Sequence, residues 1–322
     1  MHPNFPIIDS SRNTPSAVRH SSLPREVGRH LLAAILIIAG SVVSVRVISL
    51  PVERLPTIWL PAGIALCFLL TSGWRMAPTV FLANIASFIF FRHPPALSNL
   101  LAIASVNTFE PCLSYFLWRR WLKTPPFEDN WSYLKFVFGV SLLPALLCGW
   151  AVFLAGAGFR GVDTLSYFAG RGAINAIADA FGVFLIAPLA TGTWSSGLPK
   201  TGSDRVAAHL LNFFLALLIC VLSFNFSSLA IYLAIPLALA SAIVCGPCGV
   251  AVLLMTIAIY GLHATAGGVG PFVTPGATPF ISIFNMAIFA FSLGIPGQFA
   301  GITLDQLRRH RQHLEDQVTV RT

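Results

Sequence analysis

The sequence has very little charge. Of its 322 residues, 10% are charged and 56% are hydrophobic, whereas a soluble domain carries about 25% charged residues. The mean hydropathy of +0.77 agrees. This composition excludes an ordinary water-soluble fold and predicts a lipid bilayer as the main partner of the chain. The net charge of +8 does not indicate nucleic acid, because the basic residues lie in short loops between apolar runs.

Common catalytic and metal-binding motifs are also missing. There is no P-loop, no GxGxxG opening a helix and no HExxH, and the histidines lack metal-ligand spacing. We therefore predict no enzymatic activity in this chain, no cofactor and no metal. The segment CGPC at 245–248 spells a thioredoxin redox motif, but it lies between two apolar runs. A tight turn at Gly246 and Pro247 is the better interpretation.

The apolar runs predict an all-α polytopic transmembrane helical bundle. A helix crosses the hydrocarbon core in about 20 residues. Two pairs of segments are short, and each pair is compatible with a tight helical hairpin, so eight spans are the alternative to about ten. The ten candidates are 31–50, 57–73, 77–92, 98–118, 134–155, 173–193, 209–226, 229–245, 248–265 and 280–302.

The distribution of Lys and Arg predicts the topology. With ten spans and a cytoplasmic N-terminus, fifteen of the 20 basic residues fall inside. This bias favours cytoplasmic N- and C-termini. The five on the outer side are Arg46, Arg54, Arg92, Arg160 and Arg171.

The two ends of the chain are predicted to differ from the bundle at 30–302. Residues 1–29 are polar and basic, without the apolar core of a signal peptide, and predict a disordered cytoplasmic tail. Residues 303–322 predict a cytoplasmic signalling helix that extends the last span. Its apolar positions follow heptad spacing and favour a short coiled coil and a homodimer, although a snorkelling polar helix end is the alternative. These positions are Leu304, Leu307, Leu314 and Val318.

Charged side chains at membrane depth are candidates for function. Glu110 lies near the middle of the fourth segment, one turn after Asn107 and directly before Pro111. Asp179 lies in the sixth segment, one turn after Asn175. We predict that these four acids and amides line a ligand pocket in the outer half of the bundle. Hydrogen bonds that only fix helix packing, worth about 1 kcal/mol each, and a proton relay are the alternatives.

Several motifs together resemble a known family. The first block contains Trp59, Pro61, Gly63, Gly73, Arg75, Pro78 and Asn84, the second contains Asn107 and Glu110, and the third runs from Asp179 through Gly182 to Pro188 and Leu189. In this order they resemble the MASE-type membrane-associated sensor domain of the first class, over roughly 30–305. One departure is the segment Gly172–Ala176, which replaces the aromatic residues usual before the acidic helix motif.

The resemblance implies a sensory domain in a bacterial inner membrane. Such domains feed a histidine kinase, a diguanylate cyclase or a phosphodiesterase, so the chain is expected to bind an unknown small-molecule cue and to signal to an output domain absent from this sequence. Trp59 and Asn84 join the candidate ligand-binding residues on this basis.

Two other classes of function stay open. A small-solute or ion-coupled secondary transporter suits buried carboxyls and Pro-broken helices. A weak internal repeat supports it, since Trp59-Leu60 and Tyr232-Leu233 each lead into an apolar run and a Gly turn. A membrane-embedded enzyme is the least favoured class, because no nucleophile-base pair is visible.

Overall fold

The computed structural model describes residues 23–50, 55–88, 96–122, 127–157, 165–191 and 202–321, and most of the predicted N-terminal tail lies outside them. The described residues are helical, apart from loops and one isolated β-bridge between Ser49 and Pro56. A 3-10 turn precedes each of α3 and α9, and a π-helical segment, Phe136–Leu142, joins α5 to α6. The helices are α1 Leu23–Arg46, α2 Leu60–Ser72, α3 Ala77–Ser87, α4 Leu97–Trp121, α5 Asn130–Lys135, α6 Leu143–Ala157, α7 Leu165–Thr191, α8 Gly202–Asn225, α9 Ala234–Ala266 and α10 Pro279–Arg321.

The helices carry the surface of a membrane protein. Among the described residues, 8 helical stretches are long and apolar enough to cross a bilayer. Large apolar side chains point outward along them: Leu31 and Ile35 of α1 and Leu211 of α8 are each about 60% exposed. Acidic and amide side chains at the middle of α4 and α7 are instead buried. The predicted all-α membrane fold is thereby confirmed, and the chain is a multi-pass membrane protein.

The stretch that contains α2 and α3 is a hairpin. Leu60 at the start of α2 donates its backbone N–H to Ser44 near the end of α1. Ser87 at the end of α3 donates to Ser41, only one turn away on α1. The start of α2 and the end of α3 therefore lie at the same level, so the two short helices run antiparallel. Gly73, with φ 73° and ψ −165°, makes the reversal.

The stretch that contains α9 reverses in the same way. Asn212 of α8 donates to the Gly249 carbonyl and accepts from the Ser241 hydroxyl. Residues 241 and 249 would lie about 12 Å apart in a continuous helix, so one amide contacts both only because the helix folds back. Gly246, with φ 67° and ψ −162°, lies at the turn. The CGPC segment is this turn, as its sequence context predicted.

The two hairpins reconcile the alternative span counts. Eight apolar stretches are present among the described residues, and two of them fold back as hairpins, which accounts for the ten shorter apolar runs of the sequence. The reversing glycines, Gly73 and Gly246, are 173 positions apart, as are Trp59 and Tyr232 at the hairpin entrances. The weak sequence repeat thus coincides with two hairpins of matching geometry and orientation.

The bundle has two distinct ends. The near end holds the ion pair between Glu26 and Arg75 and the Gly246 turn. The far end holds the Ser49–Pro56 bridge and the loop 267–278. Helix α10 starts at the far end, passes the Gly246 turn at Gly301, and continues to Arg321. Its residues 310–319 are exposed, so α10 leaves the bundle at the near end.

Candidate functional site

Helix α7 lies at the centre of the candidate site, and α2 meets it closely. The backbone N–H of Trp59 donates to the carbonyl oxygen of Ala178 over 2.8 Å. One turn further along α2, a Cβ atom on Gly63 would stand 2.0 Å from the Gly182 carbonyl oxygen. Such an approach is open only to glycine and is the usual device for bringing membrane helices into contact.

The α5–α6 segment approaches α7 from another direction. A Cβ atom on Gly149 of α6 would stand 2.4 Å from the backbone nitrogen of Ala176. Asn175 donates its side-chain amide to the Gly149 carbonyl over 3.4 Å, and Ser141 donates to the Ala180 carbonyl over 2.9 Å. Residues 175–182 of α7 are therefore held between α2 and α6.

Helix α4 brings a second acid to this part of α7. The carboxyl groups of Glu110 and Asp179 lie within hydrogen-bonding reach of each other, and the two residues are 1% and 5% exposed. Ionised carboxylates only accept hydrogen bonds, so two carboxyl groups at this distance bond each other only when one of them carries a proton. We call Glu110 and Asp179 the carboxyl pair.

The carboxyl pair has unused hydrogen-bonding capacity. Glu110 Oε1 is buried without a hydrogen-bond partner, and so is Ser114 Oγ, one turn along α4. Pro111 has no N–H to offer the Asn107 carbonyl, which lies one turn before Glu110. A buried acceptor without a partner is costly. This arrangement can accept a hydrogen-bond donor or exchange a proton.

The structure brings together most of the predicted site residues. Asn175 and Trp59 both contact the backbone of α6 or α7 beside Asp179, and Asn107 is 8% exposed on the helix that carries Glu110. Asn84 is also buried, but its amide donates to the Val80 carbonyl of its own helix. Neither Glu110 nor Asp179 forms a hydrogen bond with Asn84 within the described part of the chain.

Two buried polar features were not predicted from the sequence. The cluster of Asn212, Ser241 and Gly249 ties the α9 hairpin to α8. Gln298 of α10 is fully buried, and neither its side-chain oxygen nor its nitrogen has a partner. In the sequence, the sign of these two sites is an amide residue, Asn212 or Gln298, within an apolar run.

The exit of α10 at the near end is held by polar contacts. Gln306 donates to the Glu128 carbonyl over 3.0 Å, and Asn130 donates to the Thr303 hydroxyl over 2.8 Å. On another side, Arg308 donates to the Ile243 carbonyl over 2.6 Å and pairs with Asp305 at 3.4 Å. The segment after α4 and the first arm of α9 therefore both fix α10 where it leaves the bundle.

Comparison with protein families matches residues 29–306 to one family, MASE1. The chain belongs to the MASE1 family. It is therefore a membrane-associated sensory domain rather than a catalytic one over these residues. No curated protein and no solved structure matches the chain.

The MASE1 resemblance in the sequence has a physical basis in this structure. Gly63 of the first block packs against Gly182 of the third, and Glu110 of the second block lies beside Asp179 of the third. The three blocks of this MASE1 chain therefore meet at α7, although they lie far apart in the sequence.

Proposed function

We propose that this chain is the input domain of a bacterial signal-transduction protein and that its cue acts at the carboxyl pair. The cue is a small hydrogen-bond donor or a cation that binds at the two carboxyl groups. The signal passes through α10 to an output domain outside these 322 residues, of the kinase, cyclase or phosphodiesterase class that the family resemblance implies.

The observation that carries the proposal is the carboxyl pair itself. Acidic side chains at membrane depth are rare and are usually functional. Glu110 and Asp179 come from different helices, and Glu110 retains a buried oxygen without a partner. A ligand that binds there interacts differently with two arrangements of α4 and α7, which is the requirement for shifting a conformational equilibrium.

A packed route leads from the pair to the exit helix. Phe181, two residues after Asp179, stacks on Phe291 of α10 with ring centroids 4.4 Å apart. Phe184, one turn further along α7, contacts the same ring at 5.1 Å and also lies against Gly294. A shift or rotation of α7 therefore acts directly on α10.

The exposed end of α10 supports transmission through a dimer. Leu307, Leu314 and Val318 are 61%, 48% and 63% exposed on a polar helix, and Leu304 is half-buried at its base. Apolar side chains at heptad spacing gain most by packing against a second helix. We propose a homodimer through this segment, with both termini cytoplasmic and the bundle in the inner membrane.

The test is a chimera with a diguanylate cyclase fused after Thr322. Glu110→Gln and Asp179→Asn should each change cyclase output by about tenfold, because 1.4 kcal/mol of altered coupling is a factor of ten. Thr108→Val is the matched control, since Thr108 lies on the same helix but bonds only the Ala104 carbonyl. Unchanged output in both acid variants would mean that the carboxyl pair only fixes helix packing.

A secondary transporter is the second candidate function. Its support is the matched pair of hairpins at Gly73 and Gly246, because parallel repeats of this kind build several transporter folds. The test is uptake of labelled cations and small organic acids into proteoliposomes. Uptake above empty liposomes that Glu110→Gln abolishes would favour transport, and uptake equal to empty liposomes would reject it.

A further inference from the structure

A second site lies on the side of the bundle, away from the carboxyl pair. A cavity of about 450 Å³ runs between α8 and the second arm of α9, and it is closed at its edges by Val47 and Leu189. Its wall on α9 contains Val252, Thr256 and Ile259. Residues 252 to 263 of one helix span about 16 Å, so the space is an elongated groove. We call it the α8–α9 groove.

The groove opens sideways rather than toward either end of the bundle. None of its lining residues is buried: each is half-buried or exposed. Phe213 on one wall is 38% exposed and belongs to an α8 surface that is apolar along its length. In a helix that crosses a bilayer, this opening faces lipid hydrocarbon. A space of this size and apolar character has room for one of the acyl chains beside it.

The far end of the groove is polar. His263 forms a hydrogen bond between Nδ1 and the carbonyl oxygen of Val47, which leaves Nε2 for another partner. Tyr260 receives a hydrogen bond from Asn225 at the same level. Arg46, the last residue of α1, directly precedes Val47 and is exposed. The groove thus combines an apolar trough with polar groups at its far end, where Arg46 adjoins Val47 in the sequence.

We propose that the α8–α9 groove binds one phospholipid with an anionic headgroup, its acyl chain along α9 and its phosphate beside His263 and Arg46. The groove is lined by α8 and the second arm of α9, with Val47 and Leu189 at its edges. Its inner wall also bears on α10: Leu254 of the same helical arm contacts Gly294, and Val250 contacts Gly297. A phospholipid bound in the groove would therefore stabilise the packing of α9 against α10.

The first test uses the wild-type full chain. It is reconstituted in nanodiscs of phosphatidylcholine with a trace of phosphatidylglycerol that carries a diazirine on its acyl chain, and labelled peptides are mapped by mass spectrometry. Labelling should concentrate on residues 252–263 and 213–217, and excess unlabelled phosphatidylglycerol should compete it away. Labelling spread evenly over the outward faces of α1, α8 and α9, without competition, would overturn the proposal.

The second test uses variants that fill the groove. Native mass spectrometry should show one retained phosphatidylglycerol per chain, and Thr256→Trp and Val252→Phe should each lower that bound fraction about tenfold. Leu239→Trp is the matched control, because Leu239 is 52% exposed on the other arm of α9. Equal retention in the filled and control variants would overturn the site. These readouts measure lipid directly, so they are independent of signalling output.

The headgroup assignment has its own measurement. His263→Ala and Arg46→Gln together should reduce the preference for phosphatidylglycerol over phosphatidylcholine by about fivefold or more, since a basic residue near an anionic headgroup contributes about 1 kcal/mol. An unchanged preference would show that the groove holds an acyl chain without selecting its headgroup, and would overturn the anionic part of the proposal.

Discussion

The backbone N–H of Trp59 donates a 2.8 Å hydrogen bond to the carbonyl oxygen of Ala178, one residue before Asp179. This bond joins the entrance of the first hairpin to the acidic turn of α7. Two turns of α7 are therefore fixed by α2 through backbone contact, and the same turns carry the acid that meets Glu110. The close packing of small residues against α7 therefore also positions Asp179 opposite Glu110.

The Gly63–Gly182 crossing should not tolerate a methyl group. Gly63→Ala would place Cβ against the Gly182 carbonyl and should destabilise the protein by about 1–3 kcal/mol, the usual cost of overpacking. The measurement is the apparent melting temperature in detergent. Gly28→Ala is the control, because nothing lies within 4 Å of a Cβ there. Equal melting temperatures for the two variants would contradict the close crossing.

The two hairpin turns should respond alike to alanine. Gly73 and Gly246 both adopt positive φ with ψ near −165°, a region open in practice only to glycine, so each Gly→Ala change should cost about 1–3 kcal/mol. Thermal unfolding in lipid nanodiscs would measure the loss of stability in both variants. If only one variant is destabilised, the two turns are not equivalent and the structural repeat loses its support.

Asn212 should contribute more to stability than an exposed amide of the same helix. Asn212→Ala removes both bonds that tie the α9 hairpin to α8 and leaves Ser241 without its side-chain acceptor. The expected loss is about 1–3 kcal/mol. Asn225→Ala, at an exposed position, should change stability by less than about 0.5 kcal/mol. Thermal unfolding of the two variants side by side decides the comparison.

The closeness of the two buried carboxyl groups predicts an order among Glu110 variants. Glu110→Gln keeps a donor for Asp179, whereas Glu110→Leu leaves a buried carboxyl without its partner and should cost about 1–3 kcal/mol more. Melting temperatures of Glu110→Gln, Glu110→Leu and Glu110→Leu combined with Asp179→Leu would measure this. The double variant should recover part of the loss, and a purely additive result would speak against the pair.

The exposed heptad positions of α10 predict self-association. Leu307→Glu and Leu314→Glu should each reduce the dimer by at least about tenfold, because a buried unpaired charge is costly. Glu315→Gln is the matched control, since it removes only the exposed ion pair with Arg311, which is worth about 0.5 kcal/mol or less. Mass photometry of the protein in detergent gives the fraction of dimer. A monomeric wild-type chain would contradict the proposed dimer.

The local properties of the chain could be predicted from its sequence. Long apolar runs predict helices in a bilayer because hydropathy and helix length are sums over neighbouring residues. The short paired runs and their glycines also predicted the hairpin turns, including the reversal at Gly246. The predicted span at 31–50 starts later than helix α1, which begins at Leu23, because hydropathy marks only the apolar part of a helix.

The partners of each helix were decided only by the tertiary structure. Hydropathy alone does not single out α7 as the helix that Gly63 approaches, because lipid and apolar side chains are nearly equivalent neighbours and contacts depend on shape and hydrogen bonding. Glu110 and Asp179 were separate candidates in the sequence, and the close crossings of α2 and α6 with α7 made them a pair. Asn84 has the same chemistry as Asn175, yet it bonds its own helix because α3 faces α1. The sequence thus determined an α-helical, multi-pass membrane chain, and the fit of small residues between helices decided where its acids meet.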